Sequence, residues 1–281
     1  MIVYHHNDMD GRCAGAIVEM AFRDFVGRIR FREVDYNSVI AVDEIERNEK
    51  VYIVDFSFKP DVMKKVLERT ENVFWIDHHS TAQAYDYGRV LPGLRDFAEP
   101  SKRSGAGLAW EFLFPSQPMP RVVQLVSDYD TWTLAMKDSM PFMEGLKLKA
   151  HGPQDEIWAK LIADEKLLLA IIDQGRTAIE YRDNYCAEMR KAFGYECYLA
   201  GYKCYALNCY RFGGTMFGPL LEKYDMCIAY VENGQKTTVS VYSTKKEIHA
   251  GEICRDFGGG GHKGAAGFVV NKGNVLPWTT W

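Results

Sequence analysis

Three short apolar runs near the start of the chain each stop at ionisable residues. Residues 2–4 lead into His5, His6, Asp8, Asp10 and Gly11. Residues 51–54 lead into Asp55, and residues 73–76 into Asp77, His78 and His79. Such runs of Val and Ile, with no polar alternation, predict strands covered on both faces, as in a parallel sheet. Helical spacing fills the intervals. Ala14, Ile17, Val18, Ala21, Phe22 and Phe25 recur on one face, Pro60 opens a second helix, and helical patterns cover residues 105–114 and 121–126. Strand alternating with helix predicts an α/β domain. In an open parallel sheet the carboxyl ends of the strands share one crevice. Residues far apart in sequence, with a fourth acidic pair at Asp128 and Asp130, are therefore expected to meet there.

At 281 residues the chain is long enough for about two domains. The parallel-sheet pattern occupies residues 1–150. Residues 151–195 read as a helical linker, its stripe being Trp158, Leu161, Ile162, Leu168, Leu169 and Ile172, with Gly175 as a break between successive helices. From 196 to 281 a smaller α/β domain is expected. One or two strands lie at 198–209, and strands at 226–231 and 237–242 flank an Asn233-Gly234 hairpin signal. A helix at 249–257 ends at Gly258, and a strand at 268–270 closes the sheet.

Composition removes several function classes. Lys and Arg total 34 against 38 Asp and Glu, a net charge of −4, so coating duplex nucleic acid is not expected. The longest apolar runs fall far below the roughly 18 residues of a membrane span, and the N-terminus lacks a signal-peptide pattern. Seven cysteines with no Cys-x-x-Cys pair give neither a disulfide framework nor a thiolate zinc site, which suits a reducing cytoplasm.

Five or six carboxylates in one crevice repel one another unless cations neutralise them. Two divalent metals do so, and such pairs stabilise in-line displacement at phosphorus. Mixed imidazole and carboxylate donors favour manganese, iron, cobalt or zinc, with magnesium allowed. A second signal lies in the run from Gly258 to Gly267, which contains Gly259, Gly260, Gly261, His262, Lys263, Ala265 and Ala266. It reads as too small and flexible to be a core packing element, and small residues let a phosphate or sugar approach backbone N–H groups.

Together these motifs resemble the DHH/DHHA1 phosphoesterase superfamily, in its nanoRNase and RecJ-like exonuclease branches. Asp77-His78-His79 matches the eponymous motif. His6, Asp8, Asp10 and Gly11 match H-x-D-x-D-G, and Asp55 matches the lone Asp of the second motif. Asp128 is the preferred match for the fourth, with Asp130 its rival, and residues 259–267 match the GGGHxxAAG signature. The resemblance implies an N-terminal metal-binding catalytic domain, a linker and a C-terminal substrate-binding domain. It implies two divalent ions, manganese foremost, with magnesium, cobalt or iron as alternatives. His6, Asp8 and Asp55 would hold one. Asp10, Asp55, His78 and Asp128 would hold the other, with Asp55 shared. His79 would face the phosphate, Asp77 would orient a neighbouring histidine, and His262 with its glycines would grip the substrate.

The resemblance also narrows the substrate. Pyrophosphatases of the superfamily usually carry a longer first-motif spacing and lack the glycine signature, and the added OB-type domain of the RecJ-type DNA exonucleases is not expected here. A short oligonucleotide is the expected substrate. A bisphosphonucleoside or a linear or cyclic dinucleotide is the alternative, and a nucleotide-binding module with little turnover is the reading from another class. The protein would be a monomer or homodimer. One departure stands out: Tyr242 occupies the place where relatives carry a phosphate-binding Arg. A tyrosine can stack or donate one hydrogen bond but supplies no bidentate cation, a role that Lys263 or Arg255 would have to take.

Overall fold

A computed structural model describes residues 1–98, 101–209 and 212–280. It divides into two compact units, Met1–Ile179 and Glu180–Trp281.

The first unit is built on a four-stranded, all-parallel sheet of order β2-β1-β3-β4. Its strands are β1 (Ile2–His6), β2 (Arg30–Val34), β3 (Val51–Val54) and β4 (Val73–Ile76). Alternation sorts their side chains onto two cores. Val3, Tyr52, Val54 and Ile76 face the helices α1 (Met9–Ala21), α3 (Gly105–Leu113), α4 (Arg121–Asp130), α5 (Ser139–Leu146), α6 (Ile157–Ala163) and α7 (Glu165–Phe193). Ile2, Tyr4, Val51, Ile53, Val73 and Trp75 face the other way, onto α2 (Pro60–Arg69) and the Phe56 and Phe58 rings. From β1 the chain crosses first to β2 on one side and later to β3 on the other. The sheet therefore has its topological switch point between β1 and β3, the place where ligands bind in open α/β sheets.

Two features depart from the sequence reading. The edge strand β2 carries Arg30, Arg32 and Glu33 and was not anticipated, because its arginines pair with Glu44 and Glu49 instead of filling a core. Gly175 is not a helix break. It lies within the continuous helix α7, where a Cβ would stand 1.7 Å from the Pro141 carbonyl oxygen, just as one at Gly145 would stand 2.0 Å from that of Ile171. Both glycines let α5 and α7 touch backbone to backbone. Trp158, Leu161, Leu168, Ile171 and Ile172 pack into the same core.

The second unit holds a six-stranded sheet of order β5-β6-β7-β8-β10-β9, with the β6/β7 pair parallel and the others antiparallel. Its strands are β5 (Tyr195–Leu199), β6 (Tyr202–Asn208), β7 (Met226–Glu232), β8 (Lys236–Tyr242), β9 (Gly260–Gly261) and β10 (Ala265–Asn271). The short α8 (Leu220–Lys223) and α9 (Ala250–Asp256) complete it. The β7–β8 hairpin turns at Asn233-Gly234, with the Asn233 side chain accepting from the backbone of Gln235 and Lys236. The whole chain is thus α/β, as expected. Among the described residues no helix is long and apolar enough to cross a membrane.

The crossing of α5 and α7 has a measurable consequence. Gly175→Ala gains helix propensity but drives a methyl into a backbone carbonyl, so it is expected to destabilise the protein by about 2 kcal/mol, the range of core overpacking. Chemical denaturation of the variant beside wild type checks this.

Candidate metal centre

The carboxyl ends of β1, β3 and β4 and the end of α4 meet over the switch point. His6 Nδ1 lies 2.7 Å from Asp8 Oδ2 and 3.7 Å from Asp55 Oδ2. His78 Nε2 lies 3.1 Å from Asp55 Oδ1, 3.3 Å from Asp130 Oδ2 and 3.8 Å from Asp10 Oδ2. Two three-residue groups result, His6–Asp8–Asp55 and Asp10–His78–Asp130, each with donor atoms close enough to hold one ion. Asp55 sits between them, and it also groups with His78 and His79.

Each side chain is held by ordinary secondary structure. Asp8 caps α1 by accepting the Gly11 N–H through Oδ1 at 2.9 Å, which leaves Oδ2 for His6. Asp10 accepts the N–H groups of Gly105 and Ala106 at 2.6 and 3.1 Å, so its charge lies on the positive end of α3. Asp55 has φ of +54°, an unusual region for a residue other than glycine, and is wholly buried. Gly105 makes room for it, because a Cβ there would stand 2.4 Å from the Asp55 Cβ and 2.6 Å from its carboxylate.

Asp77 is an organiser. It accepts the Ser57 hydroxyl, the backbone N–H of His78 and His79, and His79 Nδ1 at 2.7 Å. A carboxylate only accepts, so the Nδ1 hydrogen is assigned to His79 and its Nε2 remains for other partners. Ser57 was not picked out from the sequence; its hydroxyl is also the acceptor for the Trp75 indole.

Of the fourth pair, the structure brings Asp130 to the cluster and not Asp128. The Asp128 carboxylate accepts the N–H of Ala135 and Met136 at 2.9 and 3.1 Å and the Ser139 hydroxyl, which fastens the turn after α4. That turn holds Trp132 and Leu134 at positive φ. Trp132 is 61% exposed, with an edge-on contact to Tyr129.

The electrostatics are those of a site short of positive charge. Both Asp55 oxygens, Asp130 Oδ2 and His6 Nδ1 are buried without a hydrogen-bond partner. Burial and the neighbouring Asp10 charge push the Asp130 carboxyl up to about 8 and raise that of Asp55. Burial alone would lower His6, but Asp55 and Asp8 outweigh it and lift the imidazole to about 9. Burial opposes the Asp8 charge, yet His6 holds its carboxyl down to about 2.

The glycine signature forms the β9–β10 hairpin of the second unit. Its turn supplies the His262 and Lys263 carbonyls that accept the N–H groups of Gly251 and Ala250 at the start of α9. Contrary to the sequence reading, Gly259, Gly261 and Gly267 are packed tightly, whereas a Cβ at Gly260 would meet nothing within 4 Å. A Cβ at Gly259 would meet the Gly267 carbonyl at 2.0 Å, and one at Gly267 the Val239 carbonyl at 2.5 Å. His262, Lys263 and Ala265 are exposed, and Gly259, Gly260, Ala265, Ala266 and Gly267 line an open cavity of about 560 Å³ with Ser240 and Tyr242. Tyr242 also borders a cavity of about 580 Å³ with Cys209, Met216 and Tyr230.

These charges fix a pH response of the metal-free protein. Asp130 and His6 hold protons in the folded state that the unfolded chain has lost, over windows of about 4–8 and 6.5–9. Their contribution to stability is complete at low pH and disappears as pH rises through about 9. Thermal melts in a chelator are expected to show a falling Tm from pH 5 to 9, and Asp130→Asn to flatten the decline. Asp128→Asn leaves the decline in place but costs about 1–3 kcal/mol at every pH, since a carboxamide cannot accept from all three donors.

Comparison with known proteins agrees with this architecture. The DHHA1 domain profile matches residues 214–277. Oligoribonuclease NrnB of Bacillus subtilis (strain 168) is 27% identical, the match covering 95% of this chain and 72% of that protein. The uncharacterized protein R106 of Acanthamoeba polyphaga mimivirus is 24% identical over 96% of this chain and 67% of its own length. Among solved structures, the pGpG-specific phosphodiesterase PggH of Vibrio cholerae superposes with a TM-score of 0.57 at 14% identity, covering 96% and 92% of the two chains. The exonuclease RecJ bound to manganese does so with 0.51 at 19% identity, covering 96% and 86%. The DHHA1 match over residues 214–277 and the fold shared with these structures agree with the resemblance of the motifs to the DHH/DHHA1 phosphoesterase superfamily.

Proposed function

We propose that this protein is a metal-dependent phosphodiesterase that hydrolyses short oligonucleotides. The observation that carries the reading is Asp55: a carboxylate with no exposure and no hydrogen bond, set between two histidine-and-aspartate groups at the switch point. A native fold retains such a group where it has a use. The names of two relatives support the substrate class, one an oligoribonuclease and one a phosphodiesterase of a linear dinucleotide.

The donor set fits divalent ions. His6, Asp8 and Asp55 would hold one, and Asp10, His78 and Asp130 the other, with Asp55 reaching both. Manganese suits the mixture of imidazole and carboxylate, and magnesium, cobalt or iron are alternatives. When bound, such ions supply a hydroxide-like nucleophile at neutral pH and offset negative charge at phosphorus. The remaining work belongs to the chain. Asp77 holds the His79 ring in one tautomer and orientation. The free Nε2 of His79 is placed to face a phosphate oxygen and to steady charge there. Asp10, pinned on α3, keeps its carboxylate from swinging away. No side chain is needed as a covalent nucleophile. In the second unit, the hairpin of Gly259, Gly260, Gly261, His262, Lys263, Ala265, Ala266 and Gly267 offers the substrate-binding surface, with Tyr242 beside it. The net charge of −4 suits a substrate with few phosphates.

The test is hydrolysis of a panel with and without manganese: RNA of a few nucleotides, a cyclic dinucleotide, a bisphosphonucleoside and pyrophosphate. Release of mononucleotides from the short RNA is expected, and Asp55→Ala is expected to abolish it. Cleavage of the bisphosphonucleoside alone would make the protein a small-molecule phosphatase. Tight nucleotide binding with no cleavage of any panel member would overturn the enzymatic reading. Metal binding also displaces the protons of Asp130 and His6. Manganese should therefore raise the Tm more at pH 8 than at pH 5, with proton release visible by calorimetry in buffers of different ionisation enthalpy.

A further inference from the structure

Beside the metal centre stands an aromatic side chain with no assigned role. Tyr36 follows β2 and lies at the carboxyl end of the sheet, next to the crevice. Its ring centroid is 5.3 Å from Phe56, 5.6 Å from His6 and 6.0 Å from His79. Phe56 is buried beneath it at an interplanar angle of 39°, while the two imidazoles meet it nearly edge-on, at 66° and 81°. The ring is thus packed on Phe56 and flanked by both imidazoles, and the residue remains 52% exposed.

The ring is also held in place. It rides on a turn closed by Ser38 N–H donating to the Asp35 carbonyl at 3.0 Å. The Asp35 carboxylate accepts Asn37 N–H at 2.7 Å and the Ser38 hydroxyl at 3.1 Å, and Ser38 Oγ accepts Asp35 N–H at 2.8 Å. A pre-set aromatic face of this kind loses little entropy on binding a flat partner. Its separation from His79 is one that a single nucleoside spans.

We propose that Tyr36 is a nucleobase platform, on which the base of the nucleotide at the metal centre stacks. The inference rests on the phosphodiesterase reading for the position of the phosphate and adds the chemical class of what is attached to it. Every base has a π-face, so stacking selects base-bearing phosphates over pyrophosphate or sugar phosphates without selecting among bases. It gives the first unit its own means of telling a nucleotide from a bare phosphate.

The test compares binding of AMP and ribose 5-phosphate to the full, manganese-loaded chain by calorimetry, for wild type, Tyr36→Leu and Tyr36→Phe. Wild type is expected to favour AMP. Tyr36→Leu should weaken AMP about tenfold and leave ribose 5-phosphate unchanged. Tyr36→Phe keeps the ring and its packing on Phe56, so it should bind AMP nearly as wild type does, which separates stacking from any folding defect of the leucine variant. The proposal is overturned by equal wild-type affinity for the two ligands. It is also overturned by unchanged AMP binding in Tyr36→Leu, by equal loss of both ligands there, or by loss of AMP binding in Tyr36→Phe. Cleavage of short RNA by wild type is scored separately. A protein that cleaves RNA yet binds AMP independently of Tyr36 fails only this inference. One that binds AMP through Tyr36 yet cleaves nothing fails only the catalytic reading.

Discussion

Asp55 is the constraint around which the first unit is organised. A buried carboxylate with no hydrogen bond is costly, and like charges nearby raise the cost. Here the neighbours include Asp8, Asp10 and Asp130. The surrounding fold accepts further restrictions to keep it in place. The Asp55 backbone adopts a positive φ, its N–H donates to the Ile76 carbonyl at 2.8 Å, and position 105 is limited to glycine by the space its carboxylate occupies. These restrictions bring β3, β4 and α3 to one point. The same point is where the order of the parallel strands changes direction, so topology opens a crevice and charge defines what enters it.

The acids around Asp55 are partitioned by what else they do. Asp8 divides its two oxygens between a helix cap and His6. Asp10 gives its oxygens to the start of α3. Asp77 turns inward, to Ser57 and to the DHH backbone, and holds the His79 ring. Only Asp55 and Asp130 keep buried carboxylate oxygens without a hydrogen-bond partner among the described residues of this cluster. A cluster that looks uniform in sequence is therefore graded: some carboxylates hold backbone or histidine in place, and two keep oxygens that no hydrogen bond satisfies. This gradient explains why the metal-free centre gains stability from protons and would exchange them for cations.

Much of this was legible in the sequence, for identifiable reasons. Strands β1, β3 and β4 are buried on both faces and so appear as continuous apolar runs, and their carboxyl ends announce the crevice. Strand β2 is at the edge, and its arginines answer to glutamates outside the sheet, so no hydrophobic pattern marks it. Tyr36, which follows it, is marked by no pattern either. Asp128 and Asp130 could not be told apart by spacing. Two residues apart on a helix they face different ways, and what decides is the turn after α4, whose N–H groups claim Asp128. Gly175 misled because a glycine within a helix commonly marks a break, whereas here it marks contact with another backbone.

The glycine hairpin carries the same lesson into the second unit. Its composition suggests a loop left open for a ligand, yet Gly259 and Gly267 are required by the packing of the hairpin itself. Gly261 is under the same demand, with φ of +141° and a Cβ position 2.6 Å from the Ala266 Cα. The exposed His262, Lys263 and Ala265 carry no such steric demand, although the carbonyls of His262 and Lys263 fix the start of α9. The turn is thus anchored through its backbone, which leaves the His262 and Lys263 side chains projecting from a rigid base. On the adjoining strand, Ser240 and Tyr242 border the cavity where relatives of the superfamily are expected to present an arginine. A tyrosine there removes a fixed cation and adds an aromatic face. On the proposed reading, with Tyr36 supplying another in the first unit, recognition would rest more on rings and backbone than on basic side chains, which suits a net charge of −4.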